Sequence, residues 1–452
     1  MSALEKALQH SKKKQIDECE IVSVKKNITT IRITDSEIAE IKQNFDESFG
    51  IRIIHEKKIA SSQTTKIEDI ENSIDSAVST IPNLKPREFW QGLPTSVSGR
   101  NLEGTFDEKL DKISGTEMMD IAQSMINSAN SEKINTITGS LNIVSELFEI
   151  ENSNGLQFED KSTYIAGIIN AESEQGVLPV SGIGYGSGRT LSNFEAEQVG
   201  TDAKKMCIES INPKKIDSDS YSIIFEPYSV GELLAFVVAS NFNFKIFSEK
   251  KSCFSNNFKD KIAVSNLNLT DDPHIAEGVG TKSVDDEGTS TQKNNLIENG
   301  IFKNTYSNLF DSYKENQKST GNASRIGSPM GRSSEPITIS APHNLKIDSG
   351  KSSQEDMIKD TKHGILIGRL WYTYAVNPIK GDFSCTARSG VRIIENGEIK
   401  NPGKSVRIIH NLPTMLKNIS DIGNNQQNVI QWASLPSITP SIKAEKIKVT
   451  SI

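Results

Sequence analysis

Cysteine is scarce in this sequence, and its four copies are widely dispersed. Cys19, Cys207, Cys253 and Cys385 never form a CxxC pair, so their spacing supports neither a zinc knuckle nor a disulfide framework. We therefore expect reduced thiols. Cys385, in the segment GDFSCTAR, has two interpretations, a buried apolar residue or a nucleophile, and its isolated place in a strand-like segment favours burial.

Long apolar runs are also missing. No stretch approaches the roughly 18 apolar residues that span a bilayer, and the opening residues MSALEKALQHSKKK lack the apolar stretch of a signal peptide. The 51 Lys and Arg residues against 58 Asp and Glu give a net charge of −7, with both signs mixed along the chain. This balance does not favour binding to phosphate backbones, so we predict no nucleic-acid partner. The missing apolar runs predict a cytoplasmic protein without a membrane partner.

Complete phosphate-binding and metal-binding motifs are lacking. The segment SGIGYGSGRT at 181–190 has four glycines at every second position, which fits neither GxGxxG nor GxxxxGK[ST], so we interpret it as a flexible turn. His55 and Glu56 resemble the start of a zinc-binding helix motif, but no histidine follows at the required spacing. The remaining histidines are dispersed. These patterns predict no local metal site.

Helical and strand patterns alternate through the first half of the chain. Apolar spacing predicts helices near 2–14, 67–81, 107–131 and 192–211, and antiparallel hairpins that turn at 55–58 and 152–155. Beyond about residue 216 strand signals dominate, with one helical stretch near 229–240. Two ENG segments, at 297–301 and 394–399, predict tight hairpins because Asn-Gly readily adopts positive backbone angles.

These patterns predict an α+β fold. We divide the chain into an N-terminal α+β lobe at 1–85, a middle region of the N-terminal domain at 86–215, and a β-rich C-terminal domain at 216–452. The N-terminal domain combines an antiparallel sheet with helices, whereas the C-terminal domain is mainly antiparallel β.

Two features of the C-terminal half remain open to interpretation. Carboxylates cluster at 271–272 and at 285–287, which is typical of solvated turns; in the alternative interpretation Asp286 or Glu287 is a general acid or base. Adjacent strand residues point to opposite faces, so at most one of them faces a given pocket. The Gly, Ser and Asn-rich segment 316–336 predicts a long loop that is either a mobile connector or a binding segment.

Residues 271–325 resemble the C-terminal domain of the TldD/PmbA family. The resemblance rests on DDEGTSTQ at 285–292, LIENGIFKNTY at 296–306, DSYK at 311–314 and STGNASR at 319–325, in that order. Later segments agree, namely NPIKGDFSCTARSGVRIIENGEIKNP at 377–402 and NLPTMLKNISDIGNN at 411–425, as do FGIRIIHEKKIASSQTT and SGIGYGSGRTLSNFEAEQVGTDAKKM earlier in the chain. The resemblance implies an α+β N-terminal region, a β-rich C-terminal domain and subunits paired around an internal cavity.

The chain departs from this family at the catalytic motif. Catalytic members are zinc peptidases with HExxxH on a helix, where two histidines bind zinc and a glutamate activates water, and with a cysteine ligand near the C-terminus. In FEPYSVGELLAFVVASNF, Ala235 and Ser240 stand at the histidine positions and Phe236 at the glutamate position, and NVIQWASLP places Trp432 at the cysteine position. These side chains are poor zinc ligands or cannot bind zinc at all. The resemblance therefore implies the PmbA/TldE branch, whose members complete the chamber around a TldD-type subunit.

The leading hypothesis is a non-catalytic subunit of a TldD-type zinc metallopeptidase complex that acts on peptides or unfolded segments. Its partner is a TldD-like catalytic subunit that carries the zinc, or a second copy of this chain, and no cofactor is expected in this chain. The residues that we expect to line the chamber are Asp285, Asp286, Glu287, Gly288, Thr320, Gly321 and Asn322.

Two alternatives stay open. One is a self-sufficient homodimeric metallopeptidase that uses displaced ligands such as His274 or His343 with Asp286. The other, which follows from the family's link to gyrase modulation, is a regulatory factor that binds a protein.

Overall fold

The computed structural model describes residues 3–97, 99–100, 102–431 and 435–452. Within these ranges no helix is long and apolar enough to cross a membrane. Helices and strands alternate up to about residue 208, and strands dominate afterwards. The predicted α+β fold class is therefore confirmed.

The N-terminal region is built on one six-stranded antiparallel sheet. Its strands are β1 (Glu18–Thr34), β2 (Glu37–His55), β3 (Lys58–Thr64), β4 (Thr136–Asn152), β5 (Gln157–Ser173) and β6 (Val180–Gly188), in the order β3-β2-β1-β4-β5-β6. Its helices are α1 (Ala3–Lys13), α2 (Ile70–Thr80), α3 (Glu108–Asp111), α4 (Gly115–Ala129) and α5 (Ala196–Ile208), with 3₁₀ turns at Ile67–Asp69, Ile81–Asn83 and Leu191–Asn193. The helices cover the sheet in two apolar clusters: α1 and α2 pack on β1–β3, and α4 and α5 pack on β4–β6.

The C-terminal region contains short helices and many strands. The helices are α6 (Pro227–Leu233), which continues as a π-helix (Leu234–Val238) and a 3₁₀ turn (Ala239–Phe242), α7 (Phe244–Ser248), α8 (Leu309–Lys314), α9 (Gln354–Lys359) and α10 (Leu412–Lys417). The strands are β7 (Asp219–Phe225), β8 (Leu269–Asp271), β9 (Asn294–Glu298), β10 (Ile301–Phe302), β11 (Ala323–Ser324), β12 (Ile339–Ser340), β13 (Leu345–Ile347), β14 (His363–Asn377), β15 (Asp382–Glu395), β16 (Glu398–Pro402), β17 (Val406–Asn411), β18 (Ile419–Ile422), β19 (Gln427–Val429), β20 (Ser437–Thr439) and β21 (Ile442–Ser451).

Five of these strands close into a ring. The order β14-β7-β21-β17-β15 returns to its start because β15 also pairs with β14. Each ring strand contributes a fully buried side chain to the largest apolar core, namely Ile223, Ile365, Cys385, Ile408 and Ile447. Burial raises the pKa of the Cys385 thiol and so disfavours its thiolate. The interpretation of Cys385 as a buried apolar residue is confirmed.

Both Asn-Gly hairpins occur where the sequence predicts them. Asn299 and Gly300 connect β9 to β10 with φ angles of 52° and 75°, and Asn396 and Gly397 connect β15 to β16 with φ angles of 50° and 82°. Positive φ at both central residues is the geometry that suits Asn-Gly in a two-residue hairpin.

The glycine-rich segment at 181–190 is the strand β6 in its first eight residues, so its prediction as a flexible turn is wrong. A Cβ atom on Gly182 would lie 2.2 Å from the backbone nitrogen of Cys207, and one on Gly184 would lie 1.8 Å from the carbonyl oxygen of Val199. Both contacts are with α5. The glycines therefore let the helix backbone approach the strand, and this tertiary requirement does not show in local sequence.

Replacing Gly184 by valine is expected to destabilise the fold, because the added side chain meets helix backbone that cannot rotate away. Overpacking of this kind typically costs about 1–3 kcal/mol, and a backbone clash belongs at the upper end. Gly115→Ala is the control, since a Cβ there meets nothing within 4 Å. Equal thermal unfolding midpoints for the two variants would contradict this account.

Candidate functional site

The acidic turn at 285–287 is buried between the N-terminal sheet and the C-terminal domain. Asp286 pairs with Lys282 Nζ at 2.9 Å and Arg332 Nε at 2.8 Å, and it accepts a hydrogen bond from the backbone N–H of Arg325 at 2.8 Å. Burial alone raises the pKa of Asp286, but the charges of Lys282 and Arg332 outweigh burial and hold the pKa well below its ordinary value. The interpretation of this turn as solvated is therefore wrong.

Glu287 connects the turn to the N-terminal sheet. Its carboxylate accepts hydrogen bonds from Arg52 Nη1 at 2.6 Å, from Thr338 Oγ1 at 2.7 Å and from the backbone N–H of Leu309 at 3.0 Å. Arg52 lies on β2 and also pairs with Glu20 on β1 at 2.8 Å. Burial raises the pKa of Glu287, but the Arg52 charge and the three hydrogen bonds together outweigh burial and lower the pKa.

Two arginines of the segment 316–336 complete this network. Arg325 pairs with Glu20 at 2.7 Å, and Arg332 pairs with Glu146 of β4 at 3.0 Å and with Asp160 of β5 at 2.7 Å. Both arginine side chains are at most 1% exposed. The segment is thus a packed connection between the two regions, and its interpretation as a mobile connector is wrong.

Asp285 belongs to the same turn, and among the described residues it accepts hydrogen bonds from backbone N–H groups only. It accepts hydrogen bonds from the N–H groups of Glu287, Thr289 and Ala323 at 2.8–3.0 Å. Burial and the neighbouring Glu287 charge raise its pKa to about 8. Asp285 thus stabilises the turn rather than forming an ion pair between the regions.

The residues that we expect to line a chamber lie mostly in the interior of this chain. Asp285, Asp286, Glu287, Gly288, Gly321 and Asn322 are buried, and Thr320 is half-buried. The Asn322 Nδ2 donates to Asp271 at 2.6 Å, and the Thr320 hydroxyl donates to Asn322 Oδ1 at 2.7 Å. These residues come together around the acidic turn, and their role in a chamber stays a prediction.

Arg332→Met is expected to destabilise the protein strongly, because it leaves Asp286 and Glu146 buried with less countercharge. Removing one partner of a buried ion pair costs about 3–5 kcal/mol. Lys112→Met, which breaks an exposed pair with Glu108, is the control and should leave the unfolding midpoint unchanged within error. A small effect of Arg332→Met on denaturant-induced unfolding would contradict the structural importance of the network.

The helix at 227–242 carries the positions that the family resemblance matches to the zinc motif. Its central turn is a π-helix, in which the N–H of Ala239 bonds to the carbonyl of Leu234, five residues earlier. Leu234 and its buried neighbours pack into the C-terminal core, whereas Ala235 is half-buried, Phe236 is 36% exposed and Ser240 is exposed. Trp432 lies outside the described residues. The helix thus keeps its packing side and carries no strong metal donor at the three described motif positions.

These residues do not fit a zinc ion. Alanine and phenylalanine provide no electron pair, and zinc takes three or four N, S or O ligands. Within the described part of the chain, no group of three or more His, Cys, Asp or Glu side chains is arranged to hold a metal. His274 Nε2 lies 3.1 Å from Thr291 Oγ1, and buried His343 donates its Nε2–H to the carbonyl of Gly321 at 2.7 Å.

Sequence reasoning missed a buried contact between Glu232 of the same helix and Arg369 of β14. Glu232, 3% exposed, accepts a hydrogen bond from the backbone N–H of Leu370 at 2.6 Å and lies 3.9 Å from Arg369 Nε. The Arg369 guanidinium stacks over the Trp371 ring, 4.2 Å from its centroid. Burial raises the pKa of Glu232 to about 8, against the opposing effects of Leu370 and Arg369. A lone glutamate in the apolar run VGELLAF was the available signal.

Glu232→Gln is expected to change the pH dependence of stability. The folded state holds the Glu232 proton up to about pH 8, whereas the unfolded chain releases it near pH 4.5. The stability that protonated Glu232 gives the folded state is therefore fully present below pH 4.5 and is lost as the pH rises to 8. Relative to the variant, the free energy of unfolding of the wild type should fall by about 1.4 kcal/mol per pH unit between pH 4.5 and 8. Unfolding curves at pH 5 to 8 test this, with exposed Glu398→Gln as control, and parallel profiles for wild type and Glu232→Gln would contradict it.

Comparison with known proteins shows the family of this chain. A family model described as the PmbA/TldA metallopeptidase C-terminal domain matches residues 218–451, and a second, described as PmbA/TldA metallopeptidase domain 1, matches residues 19–81. The first match alone covers more than half of the chain. The chain belongs to the TldD/PmbA family.

Similar proteins match between half and nearly all of the chain. Metalloprotease PmbA of Escherichia coli is 24% identical over 90% of this chain and 88% of its own length. A metalloprotease TldD homolog of Buchnera aphidicola is 28% identical over 50% of this chain and 45% of its own length. The crystal structure of TldE from Thermococcus kodakarensis has a TM-score of 0.88 at 23% identity and covers 99% of this chain and all of that one. The structural similarity shows a shared fold.

Proposed function

We propose that this chain is a non-catalytic, PmbA/TldE-like subunit of a cytoplasmic zinc metallopeptidase complex that acts on peptides or unfolded segments. The observation that carries the proposal is the side-chain set on the helix at 227–242. Ala235 and Phe236 have no donor atom and Ser240 has only a hydroxyl, so the family's zinc chemistry has no ligands there. The zinc and the water-activating glutamate would then come from a TldD-type partner.

Conservation of the scaffold beside the changed motif supports a role as a subunit. The helix still packs Leu234, Val237 and Val238 into the C-terminal core, and the fold matches TldE over its full length. Buchnera aphidicola carries both a relative named PmbA homolog and one named TldD homolog, as expected where two kinds of subunit work together. A second copy of this chain is the other candidate partner.

The two alternative functions have less support. A self-sufficient metallopeptidase would need displaced ligands, but the Nε2 atoms of His274 and His343 are engaged with Thr291 and Gly321. A regulatory role rests on names alone: structures from Thermotoga maritima and Bacteroides thetaiotaomicron, described as candidate modulators of DNA gyrase, share the fold at 22% and 19% identity.

The purified chain, expressed with ample zinc, is expected to hold far less than one zinc per chain and to cleave no unfolded substrate by itself. Metal analysis by mass spectrometry and a peptidase assay measure both properties. Stoichiometric zinc with activity would contradict the proposal. If His274→Ala or His343→Ala abolished that zinc binding, the homodimeric metallopeptidase with displaced ligands would replace the proposed function.

A further inference from the structure

The N-terminal sheet has an open edge at residues 37–48 of β2. These residues pair with β1 on one side, whereas β3 pairs only with the second part of β2, and no other strand of the described residues covers them. Ile41 and Phe45 lie on one face of the strand, and they are 47% and 77% exposed. A sheet edge with exposed apolar side chains is a surface on which another chain can pack.

This open edge is acidic. Its net charge is −3, from the exposed side chains Glu37, Glu40, Lys42, Asp46 and Glu47. Glu47 forms an exposed pair with Lys25 at 3.4 Å, but no ion pair within the described residues neutralises the other three acids. The open edge therefore suits a partner surface that is both apolar and basic.

A second exposed apolar surface lies on the outside of the five-stranded ring, and we call it the ring face. Tyr374 pairs with Ser384, and Ser384 pairs with Ile409, so the three side chains lie side by side. Phe383 and Cys385, on either side of Ser384, point into the core, which places the ring face outward. Its apolar side chains, between 46% and 74% exposed, are Tyr372, Tyr374 and Val376 of β14, Ile379 of the next turn and Ile409 of β17.

The ring face is basic. Arg407 donates its Nη2–H to the Tyr374 hydroxyl at 3.2 Å and its Nε–H to the Ser384 hydroxyl at 3.1 Å. Residues 371–388, which form most of the ring face, contain one acid, Asp382. The cations on the ring face or at its rim are Lys380, Arg388, Arg407 and Lys448. In charge and in apolar character the ring face therefore complements the open edge.

We propose that the ring face of one copy of this chain binds the open edge of a second copy. Ile41 and Phe45 then pack against the apolar side chains of the ring face, and the acids of the open edge meet its cations. Because each copy carries both surfaces, a twofold dimer makes this contact twice. Direct contact between two open edges would instead bring together two acidic segments. The inference rests on the proposed function only for the expectation of paired subunits.

Charge exchange between the two surfaces tests this contact in the full-length chain. Lys380→Glu with Lys448→Glu makes the ring face acidic, and Glu40→Lys with Asp46→Lys makes the open edge basic. Sedimentation velocity should show the wild type at twice the chain mass of 49.7 kDa. Each double variant alone should be monomeric, because like charges then face each other. An equimolar mixture of the two should dimerise, because the ring face of each then meets an open edge of opposite charge.

Lys133→Glu with Lys351→Glu is the matched control. It makes the same charge change at exposed lysines outside both surfaces, so it should dimerise as the wild type does. Phe45→Ser should raise the dimer dissociation constant about tenfold or more, because it removes the most exposed apolar side chain of the open edge. Unfolding midpoints should not change, since every substituted side chain is exposed and none forms an ion pair within the described residues.

The proposal is overturned if the wild type is monomeric, if either double variant alone dimerises normally, or if their mixture stays monomeric. A wild type that is monomeric alone but binds a TldD-type relative through these surfaces would also overturn it. Zinc content and unaided peptidase activity, which decide the proposed function, are measured separately. A failure of either proposal is therefore recognised without the other.

Discussion

A buried set of ion pairs holds the two halves of this chain in one arrangement. Carboxylates at 20, 146 and 160 on the N-terminal sheet meet Arg325 and Arg332 of the connecting segment, and Glu287 of the acidic turn meets Arg52. An unpaired charge in the interior has a high free-energy cost. The two halves therefore cannot separate without exposing several charges to water or leaving them buried without a partner.

Within this arrangement the helix at 227–242 packs into the C-terminal core, and the three described positions that the resemblance matches to the zinc motif carry no strong metal donor. Packing depends on the apolar side chains that face the core, and these are present. Metal binding depends on donor atoms, and Ala235, Phe236 and Ser240, which the resemblance matches to the zinc motif, provide at most one hydroxyl. One side of a helix can therefore diverge without loss of the fold, provided that the other side still fills the core. This division supports the proposal that the chain is a subunit that shapes a shared chamber.

Sequence reasoning succeeded where the signal was local. Asn-Gly pairs marked both hairpins, and apolar spacing marked the long helices. It failed where the cause lay far along the chain. The acidic turn looked solvated because its partners are up to 235 residues away, and the glycines of β6 looked flexible because their purpose is contact with α5.

Reconstitution with a TldD-type relative that carries HExxxH tests the central claim most directly. The account predicts a mixed particle with one zinc per pair, whose peptidase activity disappears when the partner's motif glutamate is replaced and persists when Phe236 of this chain is changed to alanine. Activity that survives loss of the partner's glutamate, or zinc retained by this chain after the partner is removed, would contradict it.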